Sequence, residues 1–129
     1  MQERIEQEFA LLRQRYPGLE YREEGRWVRI PAYSLSPGWN RPATDVAFQI
    51  PVGYPGAPPY GIWAPEGLLF QGQPPDNCTR ADPGPPFGGS WTRFSWQPEG
   101  TWQPAAEITA GSNLLNWVIG FAERFRQGK

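Results

Sequence analysis

The sequence predicts an α+β domain: an antiparallel meander of four strands, an N-terminal helix before it and a C-terminal helix after it. Three observations point there. Apolar residues recur at helical spacing near both ends, the middle alternates apolar and polar residues as half-buried strands do, and a proline-rich stretch, Ile50 to Trp63, sets a fixed corner into the meander. At 129 residues the chain reads as one domain, 1–129, long enough to bury roughly two thirds of its unfolded surface.

The first helix spans Glu3 to Tyr16, where Ile5, Phe9, Leu12 and Tyr16 share one face with charges between them. Pro17-Gly18 stops it, since proline cannot continue the hydrogen-bond ladder and glycine suits the left-handed cap position. Leu19 to Glu23 then alternates as a strand, Glu24-Gly25 offers a hairpin turn, and Arg26 to Leu35 resumes β-rich, with Pro31 marking an edge or a bulge. Ser36 to Pro42 is a loop by its turn residues, and a Trp at such a tip, here Trp39, more often packs back on the sheet. Thr44 to Ile50 puts Val46, Phe48 and Ile50 on one face and Asp45, Ala47 and Gln49 on the other, a half-buried antiparallel strand.

In the corner, Pro55, Pro58 and Pro59 fix φ and lack amide donors, while Tyr54 and Tyr60 flank them. Gly61 to Phe70 reads as a short strand, a turn at Pro65-Glu66-Gly67 and another extended piece. Gln71 to Gly89 is too rich in Pro, Gly, Asp and Asn for regular structure, and a loop of that length usually has a functional reason. Trp91 to Trp96 reads as a last short strand or an ordered flap, Gln97 to Gly100 turns the chain, and Trp102-Gln103-Pro104 anchors it. From Ser112, a permitted N-cap, the second helix runs to Phe125 with Leu114, Val118, Phe121 and Phe125 on one face. Arg124 and Arg126 suit its C-terminus, and Gly128 lies just past it.

Composition excludes several function classes. A net charge of −1 without a basic block argues against nucleic acid as the main partner. No apolar run nears the ~20 residues of a spanning helix, and Met1 to Leu12 is too charged for a signal peptide, so no membrane role and a cytoplasmic location are expected. With one cysteine and no histidine, neither an intramolecular disulfide nor an ordinary zinc site can form, and no cofactor is implied. The only lysine is Lys129; that would prevent self-acylation in a protein handling thioesters, and an arginine-favouring genome gives the same pattern.

Tyr54-Pro55 with Pro58-Pro59, then Trp102-x-Pro104 with Ala105 and Ile108, then a helix a few residues on, resemble in order the YPxxPP turn, WxP motif and following helix of the ubiquitin-conjugating enzyme superfamily. The form looks closest to its bacterial members, without the additional C-terminal helices of eukaryotic ones. The resemblance implies a ubiquitin-conjugating-enzyme-like fold with a long ordered active-site loop. It also implies a protein that carries a ubiquitin-like protein as a thioester from an activating enzyme to an acceptor, with a deconjugating peptidase as a further candidate partner.

The departures bear on mechanism. The family's histidine-proline-asparagine tripeptide has only an echo here, Pro75-Asp76-Asn77, directly before Cys78. The family's cysteine precedes WxP by roughly eight residues. Here the spacing from Cys78 to Trp102 is 24, and counting back from Trp102 lands near Phe94 and Ser95. Either an insertion separates Cys78 from its usual strand, or Cys78 is not at the catalytic position.

Thioester chemistry suits a cysteine, nucleophilic as thiolate and a fair leaving group. On this reading Cys78 carries the acyl group, Arg80 favours its thiolate, Asn77 or a loop amide donates to the oxyanion, and Asp76 or Asp82 orients the incoming amine. The alternatives are that Cys78 merely fills a loop pocket, or that Ser90 or Ser95, nearer the family's register, holds an oxyester. With no histidine, a serine needs a carboxylate or a partner's group as base. Trp91, Trp96 and Trp102 form a partner surface or pack the loop onto the sheet. At the level of the whole protein, the carrier competes with a non-catalytic adaptor that binds the same partners, and with a ligand-binding domain built on its Trp-rich loops.

Overall fold

The computed structural model describes residues 3–81, 84–96 and 102–127. Helix α1 (Glu3–Arg15) leads into strands β1 (Glu20–Arg22), β2 (Trp27–Ser34), β3 (Ala43–Gln49), β4 (Ile62–Pro65), β5 (Cys78–Ala81) and β6 (Trp91–Phe94), followed by helices α2 (Leu114–Ile119) and α3 (Phe121–Gln127). Among the described residues the strands form one antiparallel sheet in the order β1-β2-β3-β4-β6-β5. The architecture is α+β, with six strands rather than the four of the expected meander. β6 falls within Trp91 to Trp96, expected as a last short strand or a flap, whereas β5 lies inside the stretch expected to be irregular. Proline and glycine crowd its flanks, but Cys78 to Ala81 contains neither, and four ladder pairs with β6 suffice for an edge strand.

Alternation decides which face of the sheet meets the helices. Val28, Ile30, Val46, Phe48, Ile62, Ala64 and Phe94 point inward and are buried with Ile5, Phe9 and Leu12 of α1, Trp117 and Val118 of α2, and Phe121 and Phe125 of α3. On the opposite face Trp27 meets Trp63 edge-on at 4.9 Å, and the Arg93 guanidinium lies 5.2 Å from Trp63. Pro31 does mark a bulge: the β2–β3 register shifts between Ile30 and Tyr33, and Ala32 takes φ 54°. Trp39 packs back, its Nε1 donating to the Phe125 carbonyl at 2.8 Å.

The expected hairpin at Glu24-Gly25 is present: β1 and β2 run antiparallel, Arg22 pairs with Trp27 across the turn, and Gly25 takes φ 77°. The C-terminal expectation changes. The expected second helix is two, separated at Gly120. Asn113 rather than Ser112 caps α2, its side chain accepting from the Asn116 amide at 2.8 Å. The Tyr33 hydroxyl donates to the Val118 carbonyl at 2.7 Å, taking an acceptor that a continuous helix would use, and glycine follows at the break. The Ser112 hydroxyl instead accepts from the Gln103 amide at 3.0 Å, tying the Trp102-Gln103-Pro104 segment to the start of α2. The expected turn at Gln97 to Gly100, and Gly128, lie outside the described residues, as does Asp82. Among the described residues no helix is long and apolar enough to cross a membrane.

Candidate functional site

The proline corner and the WxP segment, 47 positions apart, meet. Trp102 Nε1 donates to the Pro55 carbonyl at 2.8 Å, and the Tyr54 and Trp102 rings lie 5.9 Å apart. Trp102 is half-buried in this joint. Trp91 and Trp96 are buried on opposite faces: Trp91, on the outer face, donates to the Gly88 carbonyl at 2.7 Å and meets Phe87 at 6.3 Å, and Trp96 packs in the core on Trp117 at 5.3 Å. They are 3% and 9% exposed, so neither offers a partner surface; both instead hold the chain onto the sheet, because indole is the largest apolar surface available to a core poor in Leu, Ile and Val.

Cys78 opens β5, directly across the ladder from Phe94, and the Ser95 amide donates to the Asn77 carbonyl at 2.8 Å. The 24-residue separation from Trp102 is therefore largely consumed by the β5–β6 hairpin, which folds the chain back on itself. Cys78 stands beside the two residues reached by counting back from Trp102. It is half-buried, packs against the core, and lines a cleft of ≈ 280 Å³ with Leu68, Leu69, Pro74, Pro75 and Phe94. The expectation of a cysteine on an irregular loop is thus corrected to one on an edge strand.

The sulfur rests as a thiol, donating to the Pro75 carbonyl at 3.0 Å. Burial pushes its pKa up, Arg124 opposes that, and Asp76 adds to it. Arg80 is not the cation that faces the sulfur; it reaches outward to Glu66 at 3.4 Å. Its substitute is Arg124 of α3, buried, with Nη2 donating to the Asp76 carbonyl at 2.9 Å and Cζ 5.0 Å from the Phe94 ring. Burial lowers the Arg124 pKa, and Cys78 and Asp76 counter it.

Asp76 and Asn77 are exposed beside Cys78, Asn77 with φ 55°, so both carry side chains accessible to an incoming group. Ser90 and Ser95 are exposed too, but among the described residues neither hydroxyl has a hydrogen-bond partner, so no base is in place for a serine nucleophile. Among the described residues no group of three or more His, Cys, Asp or Glu could hold a metal ion. Sequence reading missed Arg124 as a site residue by assigning it to the helix terminus. The sign was available: Arg124 stands seven positions after Trp117 and three after Phe121, on the apolar face.

Compared with known proteins, the chain matches no family model, no curated protein and no solved structure.

Proposed function

We propose that this chain is a bacterial ubiquitin-conjugating-like protein that carries a ubiquitin-like protein on Cys78, acting in the cytoplasm with a separate activating enzyme. One observation supports it above the rest: Cys78 lies across the ladder from Phe94, where the motif spacing from Trp102 leads, and it borders a cleft able to take an extended chain end. The meeting of Tyr54-Pro55 with Trp102 adds support, since the two motifs that carry the resemblance form one joint. In the reaction, Sγ attacks the acyl carbonyl of the activating enzyme's thioester. The carbon–sulfur bond to that enzyme breaks, and its sulfur takes up the proton Cys78 gives up. An acceptor amine then attacks, the carbon–sulfur bond to Cys78 breaks, and the departing sulfur takes the electron pair and then the proton that the amine gives up. Asn77 is the candidate oxyanion donor, and Asp76 is the candidate to orient the incoming amine, with Asp82, outside the described residues, as its alternative.

A non-catalytic adaptor is the second reading, favoured by the resting thiol, with its hydrogen bond to Pro75 and its raised pKa. Incubation with an activating enzyme, ATP and a ubiquitin-like protein separates the two. A covalent adduct on a non-reducing gel is expected. Stable association without any adduct, under every trapping condition, would establish the adaptor instead.

A further inference from the structure

We infer that Arg124 is the counter-charge of the Cys78 thiolate, a buried positioning residue that governs how readily the sulfur gives up its proton and leaves as an anion. Its use in acyl transfer rests on the carrier reading; the pairing is a property of the folded chain alone.

The geometry brackets the sulfur from two sides. Arg124 is 2% exposed, and its guanidinium binds the Asp76 carbonyl, two residues before Cys78, while covering Phe94, the residue opposite Cys78 in the ladder. Nη1 is buried without a hydrogen-bond partner, and among the described residues no carboxylate pairs with the guanidinium within salt-bridge distance. A guanidinium stripped of water and left with an unused donor is costly unless an anion is held nearby. Arg124 and Cys78 interact electrostatically, each favouring the other's charged form. The other charged groups at the sulfur are few. Asp76 opposes the thiolate from the preceding turn, and Glu66, on the cleft wall, is engaged by Arg80 from β5. Deprotonation at Cys78 would put an anion in the field of this guanidinium, a charge that the neutral thiol, donating to Pro75, does not supply.

The consequence falls on the step in which sulfur departs. When the amine takes the acyl group, the carbon–sulfur bond breaks and the electron pair stays on Sγ; a fixed cation in a site sheltered from water favours that charge.

The test is the pH profile of Cys78 alkylation by iodoacetamide, followed by intact mass with no partner protein present. Arg124→Met is expected to move the midpoint up by about one pH unit and slow alkylation at neutral pH about tenfold. Arg124→Lys should retain most of the wild-type profile, and Arg80→Gln should leave it unchanged. A profile for folded Arg124→Met that coincides with wild type, or one that moves with Arg80→Gln, overturns the inference. Should Arg124→Met lose its near-ultraviolet tryptophan signal, the wild type decides. A midpoint insensitive to salt supports a buried counter-charge, and one that rises with salt assigns the field to exposed groups and overturns it. A shifted Arg124→Met profile on a protein that never forms an acyl adduct would leave the pairing standing and remove the carrier function. An adduct with an unshifted profile would do the reverse.

Discussion

The Tyr54 hydroxyl donates to the buried Glu8 carboxylate at 2.6 Å, joining the proline corner to helix α1. The same carboxylate oxygen accepts the Leu114 amide at 2.6 Å, and the other takes Arg4 Nε at 2.9 Å. One side chain, fully shielded from solvent, therefore holds three elements. Glu8→Gln keeps the shape but removes the charge, and is expected to cost about 2–3 kcal/mol; Tyr54→Phe removes one bond, about 1–2 kcal/mol. Urea unfolding followed by tryptophan fluorescence measures both. The double variant should cost less than the two singles together, since Glu8→Gln already takes from the Tyr54 bond the charge that strengthens it. A Tyr54→Phe midpoint equal to wild type would count against this joint.

Gly111 sits where the WxP segment turns into α2, and a Cβ there would collide with the Gln103 carbonyl oxygen and lie 2.9 Å from the Ala105 amide nitrogen. Both are backbone atoms, so neither can swing aside. Gly111→Ala is expected to destabilise the fold by about 1–3 kcal/mol through overpacking. The thermal midpoint checks it; an unchanged value would mean that the turn is free to shift.

The helices, the first four strands and the bulge at Pro31 were legible because each depends on neighbours in the chain: apolar periodicity, turn residues, a missing donor. The β5–β6 pairing was not, because Cys78 to Ala81 is too short to show alternation and acquires its strand identity from β6 alone. The same limit hid the break at Gly120, which depends on the hydroxyl of distant Tyr33. At the site, Cys78 was legible by type and surroundings, whereas its cation was misassigned to Arg80, a neighbour in sequence. Glu8 and Arg124 share the reason they were passed over. Each is a charge on an apolar helical face, and only the folded partners reveal what a buried charge is held by.

Stability should fall on the alkaline side. Burial pushes the Tyr54 phenol well above the ordinary tyrosine range, its bond to Glu8 adding to that, and burial raises Tyr33 with Tyr16 adding to it. A pKa raised in the folded state favours the neutral form there. The stabilisation is complete below the unfolded phenol's pKa of about 10 and is lost as pH rises through the folded values. Cys78 acts in the same sense, starting from its ordinary value of 9.0. The melting temperature should be insensitive to these groups up to about pH 8 and fall beyond about pH 10. Replacing both Tyr33 and Tyr54 by Phe should flatten that fall at the expense of overall stability. A slope unchanged by the double replacement would place the alkaline transition elsewhere.

The atom that carries the acyl group can be identified by how the adduct breaks. A thioester on Cys78 exchanges with small thiols, so reducing agent should release the ubiquitin-like protein from the wild type. Cys78→Ser should give a slower adduct that resists thiols and yields to hydroxide, because an oxyester has a poorer leaving group. Cys78→Ala should form none. Ser90 and Ser95 have no hydrogen-bonded base among the described residues, so Ser90→Ala and Ser95→Ala should each leave the adduct at wild-type yield. Asn77→Ala should slow its formation about 10²-fold if the side-chain amide meets the oxyanion. An adduct that persists in Cys78→Ala and withstands reducing agent would transfer the role to a serine, and with it the requirement for a base from the partner protein.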